Sequence, residues 1–406
     1  MTKVGRYENP YQVAEWHRDL PKGTGCEPLK LVTPDRAVAH GWLYARGGED
    51  SVVCVMHPRA NFSRHYVVPG LVEAGFAVFC ENSRWLNNDA TLVHERVLID
   101  VAEGLKAMHE RYDRVVLLGN SGGGSLYTFY LSQALAAEGQ RLTHTAYGDP
   151  LDLNRFEMPA ADGMVYVAAH AGEGHFLLHA IDSSLRDESD PLSVDPALDL
   201  YASANGFREP PESTRYEPAF LERYRAAQRA RVERIDAEAR ARVARRRDAR
   251  ASWKRDGNLE ARRTSIASDF LLVYRTDADP RCVDLSLDPS ARDYGSLWGR
   301  RPDWTNYGAV GFGRVVSPEA WLSTWSGFAS RAEIERTAPR MTLPCLHIAY
   351  EADNCIFPSD AERIVGALGS AQVERLTLPA DHYGFPAAKG REPAAAAIAD
   401  WLAQTA

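Results

Sequence analysis

One serine sits among residues that would make it reactive. Residues 114–135, RVVLLGNSGGGSLYTFYLSQAL, run from an apolar β-branched segment into Gly119-Asn120-Ser121-Gly122-Gly123-Gly124, then into apolar and small residues at helical spacing. A strand that turns sharply into a helix through glycines holds its apical residue in a strained conformation, with the side chain raised above the sheet edge. The N–H groups that open the helix behind it can stabilise an oxyanion. A phosphate-binding loop is disfavoured, because a Walker-type loop needs Lys followed by Ser or Thr after its last glycine, and GNSGGGSLY has no lysine.

A serine hydroxyl attacks only when a base takes its proton, and the base needs an acid to fix its tautomer. His382, in LPADHYGFP, stands between the last strand-like run and the last helical run. Asp353, in AYEADNCIFP, follows the strand-like run before that. Both therefore fall at the sheet edge that carries Ser121, in the chain order Ser, Asp, His. Glu351, Asp381 and Glu173 are the other acids in comparable positions.

The elements that must place these side chains alternate along the first third. Strands are expected at 37–44, 52–56, 77–80 and 115–118, and helices at 66–74 and 91–111. In the second helix Val93, Val97, Leu98, Val101, Leu105 and Met108 share one face. Strand, helix and strand in succession imply a mostly parallel central sheet flanked by helices, an α/β fold. The alternation continues at 163–169 and resumes with strands at 343–350 and 373–379 and helices at 359–368 and 393–404. Residues 171–339 interrupt it. They read as a large, mainly helical insertion between a first core part, 1–170, and a second, 340–406.

That insertion holds a very polar helical stretch, 220–257, with thirteen Lys or Arg against six Asp or Glu over 222–256. Leu221, Val232, Ile235, Ala239 and Val243 form a narrow apolar stripe on it, and opposite charges fall four residues apart. The pattern predicts a solvated helix that packs on its own body or joins two copies in a homodimer, rather than one that binds nucleic acid.

The elbow, the order Ser121–Asp353–His382 and the strand leading into His57 together resemble the α/β-hydrolase superfamily over about 29–170 and 342–402. The resemblance implies a serine hydrolase acting on a small molecule, with no cofactor, and a cap or lid over the nucleophile. It assigns oxyanion donors to the N–H groups of Gly122 and Arg59. The chain departs from the pattern at Pro58, which has no N–H to offer, leaving Ala60 as the alternative donor. An ester, lactone or related acyl compound is the expected substrate. Cleavage of a carbon–carbon bond in a diketone and ligand binding with little turnover are the rival readings.

Candidate substrate contacts are His57, Arg64, His65, Arg84 and His170 near strand ends, and Trp298, Trp304, Trp321 and Trp325 in an aromatic-rich stretch of the insertion. His175 and His179 could share a helix face, but no acidic set at ligand spacing accompanies them, so no metal is expected. The six cysteines lack metal-ligand spacing and read as reduced thiols. A net charge of −8 speaks against a general nucleic-acid binder. Residues 1–19 hold no leader-length apolar run and no later run is long enough to span a membrane, so a cytoplasmic protein is expected.

Overall fold

The computed structural model describes residues 19–405. Residues 1–18, most of the stretch read above for a leader, lie outside that range. An eight-stranded sheet forms the centre. Its strands are β1 (Gly25–Val32), β2 (Val38–Ala45), β3 (Ser51–His57), β4 (Ala77–Asn82), β5 (Arg114–Asn120), β6 (Gly163–Val167), β9 (Cys345–Tyr350) and β10 (Val373–Leu378); β7 (Leu271–Leu272) and β8 (Val315–Val316) pair separately. The order across the sheet is β1-β2-β4-β3-β5-β6-β9-β10. From β4 to β10 all neighbours are parallel, while β2 runs antiparallel to both β1 and β4.

The inner strands β3, β4, β5 and β6 are near-continuous apolar runs, as strands covered on both faces must be. On one face pack α2 (His94–His109) and α3 (Gly122–Ala134), with the predicted stripe of α2 fully interior. The other face is closed by α1 (Val68–Glu73) and the terminal helix α11 (Arg391–Gln404), through Leu71, Ile398 and Leu402; α10 (Pro358–Ala367) links β9 to β10. Because β5 lies at the middle of the sheet, the turn that leaves it opens onto the centre of the carboxyl edge.

Between β6 and β9 the chain builds a separate layer from α4 (Glu173–Ala180), α5 (Pro218–Asp256), α6 (Leu259–Ile266), and the short α7 (Pro302–Thr305), α8 (Pro318–Ala320) and α9 (Ile334–Thr337). The 39-residue α5 is its spine. Val232, Ile235, Ala239 and Val243 are buried against Trp321, Trp325 and Leu177 of the same chain, so the stripe packs within the chain. Four of the basic residues of α5 are likewise engaged internally. Arg231, fully buried, donates to Glu188 and to the carbonyls of Asp182 and Tyr274, while Arg225, Arg242 and Arg246 pair with Asp279, Asp269 and Glu319. Asp236 accepts from Trp321 Nε1 at 2.7 Å and Ser326 Oγ at 2.9 Å. No helix among the described residues is long and apolar enough to cross a membrane.

Candidate functional site

Ser121 caps the sharp turn from β5 into α3 with φ 53° and ψ −123°. A non-glycine residue there stores strain of about 1–3 kcal/mol. The surroundings hold it in place: its N–H donates to Val167 O at 3.1 Å, and its carbonyl accepts from Gly124 N at 3.1 Å and His170 N at 3.3 Å. Close approach explains the glycines. A Cβ on Gly119 would stand 2.5 Å from Gly124 Cα, so the strand could not meet the helix.

His382 lies in the loop after β10, with Nε2 3.2 Å from Ser121 Oγ and Nδ1 2.8 Å from Asp353 Oδ2. Asp353 lies just beyond β9, and its other oxygen accepts the N–H groups of Cys355 and Ile356 at 2.7 and 2.9 Å, which locks the carboxylate. The rival acids are placed elsewhere. Asp381 accepts the N–H groups of Tyr383 and Phe385 within its own turn, Glu351 is exposed, and Glu173 accepts from Arg59 Nε at 3.1 Å. Burial pushes His382 down, but the charge of Asp353 and its hydrogen bond outweigh this and hold the imidazole above its ordinary value.

The sheet order, the strained serine between β5 and α3, and the Asp353 and His382 loops after β9 and β10 at the same edge decide the fold. The chain has the α/β-hydrolase fold. No family model matches the sequence, and no curated protein matches it. Solved structures similar to it include DcsB in complex with its substrate analogue (10% identity, TM-score 0.48, covering 94% of this chain and 98% of that one). They also include an esterase from Pyrococcus furiosus (10%, 0.44, 94% and 91%) and a monoacylglycerol lipase from Paleococcus ferrophilus (14%, 0.40, 94% and 100%). Likenesses this distant carry no argument about activity or substrate, and one hydrolase fold hosts many chemistries.

Above Ser121 opens a cleft of about 920 Å³ between the core and the inserted layer. Its floor is Ser121, Asn120, His57 and His382. The wall from the loops after β3 and β4 is polar, with Asn61, Arg64, Asn87, Asn88 and Asp89. The facing wall, from the insertion, is mainly apolar, with Leu297, Trp298, Val310 and Phe312 beside Arg314, and Tyr383 completes it. The two-sided lining suits a ligand with one polar and one apolar flank.

Several expected contacts lie elsewhere, each for a visible reason. Arg84 is drawn away by Asp35 and Asp100, each 2.6 Å from its guanidinium. His65 is fully buried beneath the cleft, with Nε2 3.2 Å from Asn120 Oδ1, so it orients the residue before the serine. Trp304 is half exposed and stacks on Arg301. Trp321 is interior and bonded to Asp236, and Trp325 lies behind Phe312, one layer from the cleft. Of the four tryptophans only Trp298 lines the cleft. His170 is buried beside the elbow, not on the lining. The Arg59 N–H assigned to the oxyanion instead donates to His57 Nδ1 at 3.2 Å.

A buried polar cluster lies under the elbow, and of its members only His94 carried no signal in the sequence. Arg59 and Glu173 form its core ion pair, with His57, His94 and His170 around it. Burial is the main force that pushes His94 to about 4 and His170 to about 3, so both are neutral. No local spacing links residues 57, 94 and 173, and only the fold brings them together. Among the described residues the one convergent set of three metal-type ligands is Asp353, Cys355 and His382, whose acid and base already engage one another. His179 Nδ1 donates to His175 O at 2.9 Å, and His175 Nδ1 lies 3.5 Å from Glu333.

Proposed function

We propose that this protein is a serine hydrolase that cleaves a carboxylic ester, lactone or related acyl compound of moderate size. The observation that carries the reading is the hydrogen-bonded series from Ser121 Oγ through His382 to the locked Asp353 at the floor of the cleft. Ser121 attacks the carbonyl carbon as His382 Nε2 takes its proton, and Asp353 stabilises the imidazolium that forms. The leaving group departs with that proton, and water, deprotonated by His382, releases the acyl group from the serine. Orientation comes from the polar wall around Asn61 and Arg64 and the apolar wall around Trp298 and Phe312.

Pre-steady-state hydrolysis of p-nitrophenyl esters tests this. A burst of about one nitrophenolate per chain, followed by slower turnover, is the expected course of an acyl-enzyme route. Ester that stays intact at all chain lengths would contradict it. Carbon–carbon cleavage of a diketone draws on Arg59 and Arg64 at the cleft, now without Arg84, and identification of the products separates the two reactions.

The base must be neutral to act, so its raised pKa sets the acid limb of the pH profile. Activity is lost as pH falls through that value, and kcat/KM is expected to be halved at a pH above 6.5, the ordinary histidine value. The check is a profile with a substrate that does not itself ionise, and an inflection well below 6.5 would contradict the pairing.

A further inference from the structure

The loop after β3 turns its own backbone onto the His57 ring. The N–H groups of Arg59 and Ala60 both donate to His57 Nδ1, at 3.2 and 3.1 Å. Nδ1 is thus an acceptor, which puts the ring proton on Nε2. It also occupies both backbone N–H groups that could have joined Gly122 in holding an oxyanion. The loop is pinned in this form: Arg59 Nε donates to buried Glu173 at 3.1 Å, and the guanidinium lies over the Phe312 ring, 4.4 Å from its centroid.

The Nε2–H that remains is well placed. His57 lines the cleft with Ser121 and His382, and its Nε2 is 3.9 Å from Glu173 Oε1, too far for a hydrogen bond. A Cβ on Gly122 would stand 2.7 Å from that nitrogen, so the ring edge is pressed against the first residue of α3, whose own N–H has no partner within the helix. Burial, and after it the positive charge of Arg59, hold His57 well below the usual histidine range, so the ring stays a neutral donor.

We infer that His57 Nε2–H is the second oxyanion donor, a side chain acting beside the Gly122 N–H in place of a second main-chain amide. As Ser121 Oγ bonds to the carbonyl carbon, the C=O π pair moves onto oxygen, and that oxygen accepts hydrogen bonds from Gly122 N–H and His57 Nε2–H. Both donors keep their protons, and the one released by Ser121 goes to His382. When the pair returns to re-form C=O, the bond to the leaving group breaks and His382 protonates it. The inference rests on the acyl-transfer reading and deepens it.

The test pairs two substitutions with a wild-type readout. His57→Asn can keep an acceptor where Nδ1 stands and lacks the far N–H, whereas His57→Gln carries an amide N–H out to the position of Nε2. His57→Asn is expected to lower kcat about 10²–10³-fold with KM nearly unchanged, and to weaken a trifluoromethyl ketone by a similar factor. His57→Gln is expected to recover part of the loss. In wild-type protein with ¹⁵N-labelled histidine, the His57 Nε2–H resonance should move downfield when the ketone adduct forms, a result that does not depend on either variant folding. An unmoved resonance, or a His57→Asn protein with wild-type kcat, overturns the assignment. Wild-type protein that neither hydrolyses esters nor forms the adduct at Ser121 overturns the acyl-transfer reading itself, and so the two failures are distinguishable.

Discussion

Ser121→Ala is expected to lower ester turnover by about 10⁴–10⁶-fold while the protein unfolds at close to the wild-type temperature. A nucleophile and its base act as one unit, so removing the nucleophile removes nearly all that the unit contributes and leaves only what the oxyanion donors and binding supply. Little of the fold depends on the hydroxyl. The strained backbone at residue 121 is held by main-chain hydrogen bonds to Val167, Gly124 and His170, which alanine keeps, and the Oγ contact to His382 is a 3.2 Å one at the cleft floor. Steady-state kinetics with a thermal melt of each protein check both halves. A variant that keeps a tenth of wild-type activity would mean that the serine is not the nucleophile.

Asp353→Asn should cost about 10⁴-fold in kcat for a different reason. The amide oxygen can still accept from Cys355 and Ile356, so the loop survives. Its NH₂ then faces His382 Nδ1, which must become an acceptor, and the ring proton moves to Nε2. That nitrogen can no longer take the proton of Ser121. The same substitution removes the negative charge that lifts the imidazole, so the acid limb of the pH profile should move to lower pH. Loss of rate without that displacement would place the acid elsewhere, Asp381 being the nearest other carboxylate in the chain to His382.

What could be read from the sequence follows the range of the forces involved. The inner strands are short apolar runs and the elbow is a local glycine pattern, so both are visible in a few consecutive residues. The loops with Asp353 and His382 follow from their place after strands. β1 was not expected at all. It is a mostly exposed edge strand with Pro28 in its midst, and antiparallel pairing with β2 sets it. Antiparallel β2 departs from the parallel order expected of alternating elements for the same non-local reason.

Inside the insertion, residue type proved a poor guide to location. Trp298 and Trp321 are equally apolar, yet one faces the cleft and the other is bonded to Asp236 on α5. The stripe on α5 predicted a buried face correctly but could not name its partner, and that partner includes Trp321 and Trp325, about 80 residues further on. Arg84 stands at a strand end, as a substrate-binding arginine would. Only its contacts with Asp35 and Asp100 show that its charge is spent inside the core.

If Ser121 is an activated nucleophile, a fluorophosphonate will label it. The probe reacts with serines whose proton a neighbouring base removes, and peptide mapping by mass spectrometry identifies the residue that carries it. A single modified peptide containing Ser121 is expected, with labelling abolished in Ser121→Ala and in His382→Ala. Folded wild-type protein that remains unlabelled, or that is modified at another serine, would contradict it.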